Sequence, residues 1–267
     1  MIGVILGDII GSIYELNNYR AKDFELFKPE SRFTDDTVMS LAVCAALLNS
    51  KPDFSDLYQN TVRSMQHIGR LYPYCGYGRA FFEWIFSDNP VPYNSYGNGS
   101  AMRVSPCAYA ADSIDRVIEL AKIVAETTHN HPEGVKGAEA VAAAVFLART
   151  GSSKSQIRDF ISERYYKIDF TLDSIRDTYR FSASCQGSVP QALAAFFEAV
   201  DFEDTIRNAV SVGGDSDTIA AIAASVAEPY YGVPAELRER ALGYLDERLL
   251  ALLNDFESKY PIRSTKA

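Results

Sequence analysis

Apolar positions recur at helical rather than alternating spacing along most of this chain. Val38, Leu41, Ala45 and Leu48 predict a helix that begins at the acid pair of "RFTDDTVMSL", residues 32 to 41. Ile114, Val117, Ile118 and Ala121 mark another, and Val135, Ala138, Ala142 and Val145 a third. Ile219, Ile222, Ala223 and Val226 mark a fourth, and Leu242, Leu245, Leu249 and Leu252 predict one more near the C-terminus. Weaker helical patterns cover 55–68, 154–166 and 190–200. Sustained strand alternation is missing, so the expected class is all-α, a compact single-domain orthogonal helical bundle.

The runs "GAEAVAAAVFLA" and "TIAAIAASVA" refine this picture. Helices with faces this small let neighbours approach closely, which suits buried central helices. No linker, low-complexity tract or internal repeat divides the chain, so residues 1–267 read as one domain. Longer loops are expected near 17–33, 72–80, 87–105 and 127–134, where Gly, Pro, Asn and aromatic residues collect.

Composition narrows the function classes. The net charge is −9 and no basic run is present, which argues against a phosphate-neutralising nucleic-acid surface. An anionic small substrate would need local help from helix N-termini, an arginine or a metal. Cys44, Cys75, Cys107 and Cys185 are widely spaced with no C-x-x-C, and Cys44 sits in an apolar helical pattern as a reduced core thiol. The opening "MIGVILGDIIGS" lacks a basic flank and meets Asp8 after a short apolar run, so neither a signal peptide nor a membrane span is expected. The cytoplasm is the expected compartment, and a monomer the expected state.

Four patches carry candidate chemistry. In "RFTDDTVMSL", Thr34 is a good N-cap, and carboxylates in a first turn are favoured by the helix dipole. In "SVGGDSDTIAAIAAS", residues 211 to 225, Asp215, Asp217 and Thr218 stand at a second helix entry behind Gly213 and Gly214. Capping explains each taken alone. Alternate acids with a hydroxyl also suit a hard cation, because Mg²⁺, Mn²⁺ and Ca²⁺ prefer oxygen ligands. "SYGNGSAMRVSP", 95 to 106, offers free backbone at Gly97 and Gly99, hydrogen bonds from Asn98 and Ser100, and the positive fork of Arg103, a pattern that suits a phosphate cradle. "TTHNHPEG", 127 to 134, holds His129 and His131, which read as hydrogen-bonding side chains in a polar loop rather than zinc ligands.

The ordered set "GVILGDIIGSIYE", "TDDT", "GNGSAMR", "TH" and "GGDSDT" resembles the ADP-ribosylglycohydrolase family. Its members include the dinitrogenase-reductase-activating glycohydrolase and the ADP-ribosyl-acceptor hydrolases. The match spans residues 3 to about 230; each motif is weak alone, and their order makes the set specific. The resemblance implies an all-α fold with a centre of two Mg²⁺ or Mn²⁺ ions at helix N-termini, releasing ADP-ribose from a modified acceptor. Carried onto this chain, the metal ligands are Thr34, Asp35, Asp36, Asp215, Asp217 and Thr218. Glu15, Asp36 and Asp217 are the implied catalytic residues, with Glu15 on an N-terminal loop near the metals. Gly97, Asn98, Gly99, Ser100, Arg103 and His129 would lie along the diphosphate and adjoining ribose, and Tyr96 is a candidate to stack on adenine.

The expected reaction is hydrolysis at C1 of the distal ribose, with water activated by the metals, an oxocarbenium-like transition state and proton transfer by Glu15. The expected partner is an ADP-ribosylated protein or a small-molecule ADP-ribose conjugate. The sequence leaves open whether the acceptor is arginine, serine, an O-acetyl group or a nucleobase. One alternative is a catalytically silent ADP-ribose-binding protein, though a reader could lose the metal ligands that stand intact here. The other is a haloacid-dehalogenase-type phosphatase, suggested by "DSDT", which would need a parallel α/β pattern that the chain lacks.

Overall fold

In the computed structural model, which describes residues 1–15 and 18–261, fifteen helices follow one another and no strand interrupts them. The first five are α1 (Ile2–Gly11), α2 (Asp35–Asn49), α3 (Leu57–Leu71), α4 (Arg79–Phe86) and α5 (Gly99–Met102). Next come α6 (Cys107–Ala110), α7 (Ile114–Glu126), α8 (Pro132–Arg149), α9 (Lys154–Arg164) and α10 (Leu172–Ile175). The described chain closes with α11 (Cys185–Glu198), α12 (Phe202–Val210), α13 (Ser216–Tyr231), α14 (Ala235–Leu242) and α15 (Glu247–Lys259). The all-α expectation holds, and the parallel sheet a dehalogenase-type phosphatase needs has no counterpart among the described residues.

The centre of the fold is the pair α1 and α13. Every residue of α1 is buried, including Asp8. Gly3, Gly7 and Gly11 recur every fourth residue, so they form one face of the helix. A Cβ on Gly7 would stand 2.2 Å from the carbonyl oxygen of Ala220, and one on Gly11 would stand 2.4 Å from the Cα of Asp217. The glycine face therefore lets α1 lie directly on the backbone of α13, and Gly11 sets that contact at the acid-bearing start of α13. At the other end, Glu228 of α13 accepts the backbone N–H groups of Ile2 and Gly3 at 3.2 and 2.8 Å, together with the amine of Met1 at 2.6 Å. Those are orphan donors of a helix start, here satisfied by a buried carboxylate.

The alanine-rich helices behave as their composition suggests. The central residues of α8, Ala138 and Ala140 to Val145, are buried, and so is α13 from Ser216 to Glu228. One continuous apolar core joins the faces of α1, α2, α8, α11 and α13. Cys44, Cys107 and Cys185 lie inside it as unpaired thiols, while Cys75 is half-buried.

Several elements differ from the sequence pattern, and α4, α6, α10 and α12 were not marked by it at all. The single helix expected through Leu242 and Leu252 is two, because α14 ends at Leu242 and Asp246 starts α15 by accepting the N–H of Leu249. The buried stripe of α15 is Leu249, Leu253 and Phe256, and Leu252 is only half-buried. The expected loop at 87–105 contains the short helix α5. α1 itself was concealed, since a helix apolar all round shows no periodic contrast.

Candidate active site

Three helix ends converge on one cavity of about 540 Å³: the C-terminal end of α1, and the N-terminal ends of α2 and α13. The question raised by Asp35 and Asp36 is answered by Asp8. Its Oδ2 accepts the backbone N–H groups of Thr34 and Thr37 at 2.9 and 3.0 Å, and the Thr37 hydroxyl as well. Its Oδ1 accepts the Thr34 hydroxyl at 2.6 Å. Asp8 thus caps α2 from a different helix. Thr34, expected to cap with its own side chain, accepts no cap hydrogen bond from the helix.

The α2 acids are thereby released from capping. Asp36 is 1% exposed; its Oδ2 accepts the Thr218 hydroxyl at 3.1 Å, and its Oδ1 has no partner among the described residues. Asp35 lines the cavity, followed along the wall by Cys75 and Gly76. On α13, Asp215 accepts the Asn98 amide at 2.7 Å, and Asp217 accepts the N–H of Thr218 at 2.9 Å. Asp8, Asp36 and Asp217 bring one carboxylate oxygen each within 4.8 Å of one another, and Glu15, Asp215 and Asp217 do the same.

Electrostatics make this crowding costly. Burial and then the neighbouring acids push Asp35 up to about 8. Burial, followed by repulsion from Asp8 and Asp35, holds Asp36 well above the usual carboxylate range; burial, followed by Asp215 and Asp36, does the same to Asp217. Burial also raises Asp8 against the pull of its four hydrogen bonds. Glu15 is raised by burial and by the charge of Asp215, with Arg32 opposing. So many buried like charges need compensation.

The donor set fits hard divalent cations. Every group of the two clusters is a carboxylate. The hydroxyls of Thr34 and Thr218 each give their proton to an aspartate, which leaves oxygen lone pairs for a cation. The orphaned Asp36 Oδ1 is a buried acceptor of the kind that such an ion satisfies.

The glycine loop forms another part of the cavity wall, joined to the acids through Asn98. Gly97 bridges to Ser184, and the Asn98 N–H donates to the carbonyl of Ala183 at 2.8 Å, which ties the loop to the start of α11. Gly97, Asn98, Gly99, Arg103 and His129 line the cavity together with Glu15, Asp35, Asp215, Asp217 and Thr218. Ser100 does not: its hydroxyl donates to the carbonyl of Gly134 at 2.7 Å and joins α5 to α8. The Asn98 amide is likewise committed, to Asp215 and to Ser188 at 3.0 Å. Arg103 is 1% exposed, and burial lowers its guanidinium to about 10. Tyr96 packs beside His131 with ring centres 5.3 Å apart and is not part of the cavity wall, whereas exposed Tyr74 and Phe181 are. His131 accepts the N–H of Glu133 and caps α8.

Sequence similarity places this geometry in a family. The profile of the ADP-ribosylglycohydrolases matches residues 1–263. The chain belongs to the ADP-ribosylglycohydrolase family. It is 27% identical to the human ADP-ribosylhydrolase ARH3, over 94% of this chain and 90% of that protein. It is 26% identical to the ADP-ribosylarginine hydrolase Tri1 of Pseudomonas putida strain GB-1, over 87% of this chain and 70% of that protein. A solved structure described as an ADP-ribosylglycohydrolase-related protein complex shares the fold with a TM-score of 0.70 at 24% identity, covering 96% of this chain and 95% of that one. The protein is thus a hydrolase of this family. Within it, Asp8 was the residue missed from the sequence. Its signal was present, an acid inside an otherwise apolar "GVILGDIIG".

Proposed function

We propose that this chain hydrolyses the bond between C1 of the distal ribose of ADP-ribose and its acceptor, releasing free ADP-ribose. The observation that supports this most is the division of labour at α2. Asp8 performs the capping, and Asp35, Asp215 and Asp217 are left lining a cavity that they share with a glycine loop, with Asp36 buried beside Thr218.

In this reading Thr34, Asp35, Asp36, Asp215, Asp217 and Thr218 hold two divalent cations, Mg²⁺ or Mn²⁺. When bound, the cations compensate the acids and make water a nucleophile near neutral pH. The residues do the rest. The carboxylates of Asp36 and Asp217 orient the ribose side and favour the positive charge that develops at C1. Glu15 lines the cavity with its pKa raised by burial and by the charge of Asp215, which suits it to accept a proton from water or return one to the departing acceptor. Gly97 and Gly99 let the diphosphate approach the backbone, with His129 and Arg103 beside it. In the overall reaction one water forms the new C1–O bond, the bond from C1 to the acceptor breaks, and the acceptor leaves with a proton.

The test is incubation of the purified protein with serine-linked and arginine-linked ADP-ribosyl peptides, with and without Mg²⁺. Metal-dependent release of ADP-ribose supports the proposal. Tight ADP-ribose binding without release from any linkage supports a binding protein instead.

A further inference from the structure

The hydrogen bonds behind the His129 ring decide which of its nitrogens carries a proton. Buried Arg103 donates from Nη2 to the Thr128 hydroxyl oxygen at 2.7 Å. That oxygen lies 2.6 Å from His129 Nδ1. A guanidinium has only donors, so Thr128 accepts from Arg103. A hydroxyl has one proton to give, and among the described residues its only remaining partner is His129 Nδ1. Satisfying that proton makes Nδ1 the acceptor and puts a neutral ring's own proton on Nε2, whereas an Nδ1–H donating to the second lone pair of Thr128 would strand the buried hydroxyl proton.

Nε2 faces the glycine loop. A Cβ placed on Gly97 would stand 3.3 Å from it, and one on Gly99 would stand 3.4 Å from it. The two glycines thus leave the space in front of Nε2 open. His129 is 4% exposed, and what it does expose belongs to the cavity wall.

We propose that Arg103 and Thr128 are positioning residues that lock His129 as the Nε2–H tautomer, so that the ring presents a neutral hydrogen-bond donor to a diphosphate oxygen lying over Gly97 and Gly99. This rests on the ADP-ribose reading of the cavity. It reassigns Arg103: one arm of the guanidinium acts through Thr128 and the ring. Burial and the Arg103 charge, which hold His129 well below the usual imidazole range, agree with a neutral ring. A tautomer fixed in advance costs nothing to select when the ligand arrives.

The chain has three histidines, so their signals are separable in protein carrying ¹⁵N-labelled histidine, with His67→Gln and His131→Gln for assignment. Long-range ¹H–¹⁵N correlation should show His129 protonated on Nε2 and unprotonated on Nδ1. Thr128→Val should mix the tautomers and weaken ADP-ribose binding roughly tenfold, near the worth of one hydrogen bond to a charged acceptor. Thr128→Ser, which keeps the hydroxyl, should restore both readouts. A wild-type ring protonated on Nδ1 overturns the proposal, and so does a Thr128→Val variant with unchanged tautomer and affinity. If Thr128→Val fails to fold, the wild-type tautomer decides alone. An Nε2–H ring in a protein that does not bind ADP-ribose would leave the relay standing and remove the pocket assignment.

Discussion

Asp8 and Thr34 meet twice, the carboxylate accepting the threonine's backbone N–H at 2.9 Å and its hydroxyl at 2.6 Å. With the matching pair from Thr37, one buried side chain of α1 organises the whole first turn of α2. Asparagine at this position has one acceptor atom and sets an NH₂ group against neighbouring donors. We expect Asp8→Asn to lower stability by about 2 kcal/mol, since unsatisfied buried donors outweigh the relief of charge. Urea unfolding should show the loss in chelator and in Mg²⁺ alike. An unchanged midpoint would mean that α2 starts without Asp8.

The crowded acids set the sign of the pH dependence. Asp35 is raised to about 8, and Asp36 and Asp217 are also raised. Between the unfolded value of about 4 and the folded one, the native state holds protons that the unfolded chain has lost. Stability of the metal-free protein should therefore fall as pH rises through that window, from about 4 to about 8. Mg²⁺ or Mn²⁺ should flatten the fall by compensating the charges and by binding only the folded state. Thermal melts in chelator that rise across the window would show that the acids are not strained.

Glu15 lines the cavity close to Asp215 and Asp217. Glu15→Gln keeps the size of the side chain and removes its proton transfer. Turnover should drop by roughly 10²–10⁴-fold with ADP-ribose binding preserved. Steady-state kinetics with calorimetry separates the two effects. Wild-type turnover would leave Glu15 as an ordinary acid of the cavity rim.

What the sequence reveals here depends on contrast. α2, α7 and α8 were legible because apolar and polar positions alternate with the helical period or give way to long alanine runs. α1 was not, because burial on every side removes the polar face that marks a helix. Asp35, Asp36, Asp215 and Asp217 were legible as an unusual concentration of acids at two helix starts. Their partners were not. That Asp8 caps α2, that Asn98 holds Asp215 and that Arg103 is linked by hydrogen bonds to His129 through Thr128 are relations between distant segments, fixed by how α1 and α5 pack. Ser100 shows the reverse case, a polar residue in the right motif whose hydroxyl ties two helices together.

The most direct measurement is release of free ADP-ribose from defined ADP-ribosyl peptides by wild-type, Asp36→Asn and Asp217→Asn protein, in Mg²⁺ and in excess chelator. Asp8 caps α2, so Asp36→Asn should leave that helix folded, and the amide oxygen of Asp217→Asn can still accept the Thr218 N–H at the start of α13; circular dichroism would confirm both. We expect wild-type release to vanish in chelator and return with Mg²⁺ or Mn²⁺, and both variants to be slower than wild type by orders of magnitude when either metal is present. Full release in excess chelator, together with active Asp→Asn variants, would contradict the assignment of these acids to a metal centre.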